Sequence, residues 1–298
     1  MKFFRSLKEQ YYLLRQRRTF FKCHGYRPNL DNLRSYNEKV AWRKIYDRNP
    51  LFPLLADKYR SRRYVLEKLG KKDGEKILVP LLFVTEDPDR IPFDDLPEEY
   101  IIKPNHGSGW SIIVDRDHPA RPGEIMSKCR RWMKKTYGRS KKEWAYSEIS
   151  PLVMIEMLLK DDEEKIPADW KFDVINGRVA TVYLVHDRFG NPTEALYDRD
   201  FKRLWACTSH EDSPEIERPS IFGEMVAIAE DLAFEMDQIR VDLYNVEGEI
   251  YFGEFTLYPA SGLYRFEPVS FDFALGEKWN LDTRFKREFN PWYTIQRR

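Results

Sequence analysis

"IRVDLYNVEGEIYFGEFTLYPASG", residues 239 to 262, alternates apolar and polar residues on both sides of Glu247-Gly248, the pattern of two strands joined by a tight turn. Closure at that turn places Asp242 of "IRVDLY" nearly opposite Glu254 of "YFGEFT", and Arg240 opposite Thr256. Side chains two apart on a strand share a face, so these four stand together while Val241, Leu243 and Phe255 take the buried face. Carboxylates directly across a sheet repel unless a cation lies between them. Paired hard oxygens suit Mg²⁺, which takes one or two protein carboxylates and fills its shell with phosphate and water. The plainer alternative is a solvent-facing polar stripe in an offset register.

A second stretch, "IIKPNHGSGWSIIV" at 101 to 114, reads as strand, Gly-Ser-Gly turn and strand, with Lys103 at the mouth of the turn. Alone it is an ordinary hairpin turn beside a lysine. Joined to the distant acids, it supplies the other half of a nucleotide site. Turn N–H groups and an ammonium hold phosphate oxygens, and magnesium bridges them from the far side. The chain has no GxxxxGK[ST] loop and no GxGxxG after its first strand. A P-loop and a Rossmann dinucleotide site are both set aside.

Composition frames these motifs. The 298 residues suit one large domain or two intimately packed ones, and 42% hydrophobic with 33% charged content implies a packed core. Fifty basic residues against 49 acidic leave the chain nearly neutral, which argues against a nucleic-acid partner. Cys23, Cys129 and Cys207 are far apart with no CxxC pair, so neither zinc nor a disulfide framework is indicated and a reduced, cytoplasmic compartment fits. No apolar run reaches 18 residues, so no transmembrane segment is expected. The first 27 residues hold eight basic residues and one acid, interleaved with aromatics, and charges break every apolar run, unlike a signal peptide. We read this segment as a solvated helix that packs its aromatics on the body. The alternative is an interfacial anchor near anionic lipid or polymer, which leaves peripheral contact with the inner face of the membrane open.

Between the motifs, residues 37 to 70 read as two helices split at Asn49-Pro50 and stopped by Gly70, and residues 77 to 85 as a strand. Ile125, Cys129, Trp132, Met133 and Thr136 recur at helical spacing. Residues 152 to 159 are apolar except for Glu156, and a charged loop follows. Residues 170 to 185 form a hairpin turning at Asn176-Gly177, and 224 to 236 a helix with Met225, Ala229, Leu232 and Met236 inward. Residues 128 to 142 hold eight basic residues and no acid. That run is either a solvated face or a patch that concentrates an acidic polymer.

In order and spacing, "NEKVAWRKIYDRNPL", "DKYRSRRYVLEKLG", "IIKPNHGSG", "DWKFDVINGR", "IRVDLYNVEGEIYFGEFT" and "YPASG" resemble the ATP-grasp superfamily, and most closely its TupA-like, teichuronopeptide-biosynthesis branch. The resemblance implies an α+β fold in which two α+β subdomains enclose ATP. It would divide the chain into a helical segment 1–52, subdomains 53–155 and 156–276, and a tail 277–298. It implies an ATP- and Mg²⁺-dependent carboxylate–amine ligase working through an acyl-phosphate, with an amino acid as amine and an acidic sugar or polysaccharide as acceptor. A kinase acting on a hydroxyl, or a non-catalytic nucleotide-binding module, remains as an alternative. By matching position, Lys58 and Lys103 would hold phosphates, and Gly107, Ser108 and Gly109 would form the flap. Glu156, Met157, Leu158 and Leu159 would be the hinge that reads adenine. Asp169 or Lys171 would lie near ribose or phosphate, Asp242 and Glu254 would bind magnesium, and Arg240 would act in catalysis beside Lys103. Where many relatives have asparagine as a third metal ligand, this chain has Thr256. The group's usual separate acceptor-binding domain has no counterpart before residue 53, where only helical patterns precede.

Overall fold

The computed structural model describes residues 7–206 and 211–287, with side chains from residue 11 onward. Residues 1–6, 207–210 (Cys207 among them) and 288–298 lie outside that set, and with them the ends of the expected N-terminal segment and C-terminal tail. Cys23 and Cys129 are free thiols.

Five helices come first: α1 (Leu7–His24), α2 (Tyr36–Tyr46), α3 (Phe52–Ala56), α4 (Ser61–Leu69) and α5 (Lys71–Ile77). Strands β1 (Leu81–Thr85), β2 (Tyr100–Pro104) and β3 (Ile112–Val114) follow, then α6 (Pro122–Met133) and β4 (Val153–Met157). Next come β5 (Asp169–Ile175), β6 (Arg178–His186), β7 (Thr193–Tyr197), β8 (Arg203–Leu204) and β9 (Glu211–Asp212). The chain continues through α7 (Phe222–Ala233), β10 (Gln238–Val246), β11 (Glu249–Thr256) and α8 (Ser270–Lys278). These strands build two sheets, one in the order β1-β4-β2-β3 and the other β11-β10-β5-β6-β7-β8, with β9 alongside β7.

Each sheet has its own core. Ile102, Val153 and Ile155 of the first sheet pack on Ile125, Cys129 and Trp132 of α6. Phe172, Val182, Val241 and Leu243 of the second pack on Met225, Ala229 and Leu232 of α7. Val40, Phe52, Leu55 and Val65 of α2 to α4 join that second core. Helices α2 to α5, which precede the first sheet, therefore join the core of the second, and the division expected between residues 155 and 156 falls inside β4. Helix α2 is fixed by local and distant contacts. Ser35 and Glu38 form a capping box at its start. The buried Arg43 guanidinium donates to the Gln238 carbonyl at 2.8 Å and pairs with Asp237, clamping α2 onto β10.

The sequence is met closely at the turns. Asn176 and Gly177 have φ of 50° and 75°, and Glu247 and Gly248 have 50° and 89°, the left-handed pairs that a two-residue hairpin requires. Three expectations need correction. The helix expected after Asn49-Pro50 is two, α3 and α4, because Asp57 Oδ1 accepts from the N–H groups of Tyr59 and Arg60 and turns the chain between them. Residues 71–77 are helical, so the strand expected at 77 begins only at Leu81, past Pro80. Thr136 lies beyond the end of α6.

The register of the last hairpin depends on one extra residue. Leu243 pairs with Phe252, but Asp242 pairs with Glu254 and Arg240 with Thr256, so the ladder bulges at Gly253. Phe252 and Phe255, three apart, both reach the core. Without the bulge, Glu254 would stand opposite Val241 and point to the apolar face. A Cβ at residue 253 would lie 3.0 Å from the Tyr244 ring and 3.1 Å from the Asp242 carbonyl oxygen, so glycine suits the bulge.

Candidate nucleotide and metal site

Strand β2 carries Lys103 on the same face as Ile101, and Glu156 of β4 stands opposite Ile101. Lys103 Nζ lies 2.5 Å from Glu156 Oε2, and Arg62 Nη1 of α4 lies 3.0 Å from Glu156 Oε1. The buried carboxylate thus aims one lysine and is steadied by one arginine.

The second sheet answers with a charged face. Arg240 Nε and Nη2 each lie 2.7 Å from an oxygen of Asp242, a bidentate pair in a buried setting. Across the bulge, Glu254 pairs with Lys58, whose Nζ also donates to the Gly107 carbonyl at 2.7 Å. Lys58 sits just before α4 and ties the glycine loop to β11. Burial alone would push the Glu254 carboxyl up. Lys58, with Arg240 and Lys103 behind it, more than reverses that and holds it at about 2. The repulsion expected between the two acids is relieved here by these side-chain cations. On the other side of Asp242 stands Lys171, which pairs with Asp169 at 2.7 Å.

Lys103, Glu156, Met157 and Leu158 line a narrow cleft with Ile166, Pro167, Arg188, Phe189 and Tyr244. Arg188 reaches Asp169 at 2.8 Å and donates to the Tyr244 hydroxyl at 3.1 Å. Arg188 and Phe189 were not singled out from sequence, because they sit in a loop after β6 that carries no motif. Tyr244 had a signal, since it is two residues after Asp242 and shares its face.

The glycine loop packs on an aromatic wall. Trp110 stacks parallel on Trp132, and Ser108 lies against the Tyr137 hydroxyl. A Cβ on Gly107 would stand 2.7 Å from the Trp110 ring, and Gly109 has φ of +71°. Gly107→Ala is therefore expected to cost about 1–3 kcal/mol in stability, the range for overpacking. It should also raise KM for ATP if the loop covers the phosphates. Thermal unfolding and an ATP titration on one preparation check both.

The donor set bears on magnesium. Among the described residues no group of three or more His, Cys, Asp or Glu could hold a metal. Two opposed carboxylates, with Thr256 on the adjacent row, fit an ion that completes its shell from phosphate and water.

Two more acids share this sheet face. Burial raises Asp173, opposite Arg240, to about 6, and burial raises Glu194 to about 7 against the pull of Lys171 and Arg240. A carboxyl raised on folding binds protons more tightly in the folded chain. Its contribution to stability is full below the unfolded value and is lost as pH climbs through the folded one. Stability should fall between about pH 4.5 and pH 7 through Glu194. Glu194→Gln is expected to flatten that slope by roughly 1–3 kcal/mol. Denaturant unfolding across pH 5 to 8 reads it, and an unchanged slope would remove Glu194 as its source.

A family model described as TupA-like ATPgrasp matches residues 38–280. No curated protein matches the chain significantly. Among solved structures it is similar to D-alanine–D-alanine ligase from Bacillus anthracis complexed with ATP, at 16% identity, TM-score 0.40, and 69% and 54% of the two chains covered. It is also similar to the Helicobacter pylori D-alanine–D-alanine ligase, at 14% identity, TM-score 0.44, and coverage of 83% and 70%. The L-amino acid ligase from Bacillus licheniformis matches at 14% identity, TM-score 0.43, and coverage of 70% and 44%. The chain spans about half the length of the Bacillus anthracis and Bacillus licheniformis proteins. The family match, rather than these likenesses, carries the assignment.

Proposed function

This chain belongs to the TupA-like ATP-grasp family, and from that premise we propose that it is an ATP-dependent carboxylate–amine ligase. The observation that supports this reading most is the convergence of cations from the first sheet and its flanking segment, Lys103 and Lys58, on the paired acids of the second. Lys103 and Lys58 hold phosphate oxygens, with the loop at 107–109 folded over them. The backbone of residues 156–159 reads adenine between Ile101 and Phe189, and Asp169, Lys171 and Arg188 serve the ribose and phosphates.

Asp242 and Glu254, with Thr256 beside them, would hold magnesium, which when bound neutralises charge on the β- and γ-phosphates. The chain's own groups do the rest by position. Lys58 and Lys103 keep the γ-phosphoryl in line with a substrate carboxylate, which attacks phosphorus and expels ADP. Closure of the 107–109 loop and residues 160–168 keeps water from the acyl-phosphate that results. The amine of an amino acid then attacks the acyl carbon, and phosphate leaves. Arg240 Nη1, the nitrogen that Asp242 does not engage, would stabilise the oxyanion of that step. The carboxylate donor we propose is a uronic acid or acidic polysaccharide.

The test is ADP release from Mg·ATP across a panel of amino acids and uronates, with hydroxylamine present as a trap. A hydroxamate formed only with carboxylate present is the expected result. ADP release with a stable phosphoester and no hydroxamate would mean a hydroxyl acceptor and a kinase.

A further inference from the structure

Helix α1 buries one side only. Tyr12, Leu13 and Phe20 pack on the body, yet Tyr11 is 70% exposed, Leu14 58% and Phe21 48%. Arg15, Arg17, Arg18 and Lys22 are exposed as well. At 3.6 residues per turn these seven fall on one side of the helix, an apolar stripe edged and interrupted by cations. No acid occurs between residues 11 and 24. A stripe of large apolar side chains facing water is unusual on a soluble surface and marks a contact.

A second element meets α1 at the edge of that stripe. The Lys142 ammonium lies 5.5 Å from the centre of the ring of Tyr12, on the buried side of the helix, and within electrostatic reach of Arg15. Burial, then Arg139 and Arg15, hold Lys142 below the usual lysine value. Like charges from α1 and from the loop after α6 are thus gathered side by side. The basic run divides accordingly, since Lys135 stands over Trp110 beside the glycine loop while Lys142 stands on α1.

We propose that α1 and the loop at 139–142 form a docking face for an anionic phospholipid surface. Tyr11, Leu14 and Phe21 enter the boundary between headgroups and acyl chains, and Arg15, Arg17, Arg18, Lys22 and Lys142 meet headgroup phosphates. The exposed apolar side chains decide between occupants. A dissolved polyanion would engage the cations and leave those three in water. A second copy of this chain would bring like-charged faces together. None of these residues belongs to the nucleotide cleft, so the inference stands apart from the proposed reaction.

The experiment is co-sedimentation of the full chain with phosphatidylcholine vesicles, with and without phosphatidylglycerol. Binding should require the anionic lipid. It should fade at 1 M salt, where the Debye length is about 3 Å. Each cation near such a surface is worth about fivefold in partition, so the Arg15→Gln, Arg18→Gln variant should bind about thirtyfold more weakly. The Leu14→Ser, Phe21→Ser variant should lose at least about tenfold while keeping wild-type melting and solution turnover, since both side chains are exposed. Absence of vesicle binding by the unaltered chain would overturn the proposal. Undiminished binding of the serine variant would overturn it too, leaving the cations to a soluble polyanion. Lipid-free self-association lost in the serine variant would assign the stripe to a second copy instead.

Discussion

Lys103→Ala should lower kcat/KM for ATP by about 10²–10³-fold, the loss typical when one group that stabilises developing charge is removed. The fold should survive, and the structure says why. Lys103 is only partly enclosed, and Glu156, which it pairs with, keeps Arg62 as a second cation at 3.0 Å. The variant therefore does not strand a buried carboxylate, the situation that makes breaking a buried ion pair so destabilising. Arg62→Ala removes the other partner and gives the contrast. It should change ATP affinity less, because the ammonium that faces the cleft remains. Nucleotide titration of both variants, alongside their melting curves, separates phosphate binding from support of Glu156. An alanine variant at 103 with wild-type ATP affinity would return that lysine to an ordinary hairpin.

The parts of this molecule that were legible from sequence are those governed by local rules. Two-residue turns at Asn176-Gly177 and Glu247-Gly248 need left-handed backbone, and the residues there supply it, so both hairpins could be placed. The turn register alone brings Glu254 to within one residue of Asp242, and the bulge at Gly253 supplies the shift that pairs them. Its trace in the sequence is the interval between Phe252 and Phe255, three where simple alternation would give two. What escaped is what depends on distant contact. Lys58 meets Glu254, and α2 to α4 join the core of the second sheet, through packing that no window of sequence contains. Arg188 reaches Asp169 from a loop whose sequence carries no pattern at all. The break between α3 and α4 was visible in principle, since Asp57 is a residue type that bonds to the backbone two positions on.

Asp242→Asn and Glu254→Gln should each lower Mg²⁺-dependent turnover by about 10²–10³-fold, yet differ in what they do to the fold. Asp242 and Arg240 are both buried and joined by two hydrogen bonds of 2.7 Å. Asparagine keeps the shape but leaves the guanidinium without its counter-charge, a loss of up to about 3–5 kcal/mol when a buried partner is removed. Glu254 is paired instead with Lys58, which keeps the Gly107 carbonyl as an acceptor when glutamine replaces the acid. Its variant gives up the attraction that holds that carboxyl at about 2, so it too should melt below wild type, by an amount that the retained Gly107 contact reduces. Activity is lost at both positions, and stability at 254 only in part. If one ion spans both acids, the double variant should be little less active than either single one, because the second substitution removes nothing that the first left working. Turnover against Mg²⁺ concentration for the three variants, with denaturant unfolding of each, decides the matter. Full turnover in Glu254→Gln would mean that the acid opposite Asp242 serves Lys58 alone, as a tether for the glycine loop.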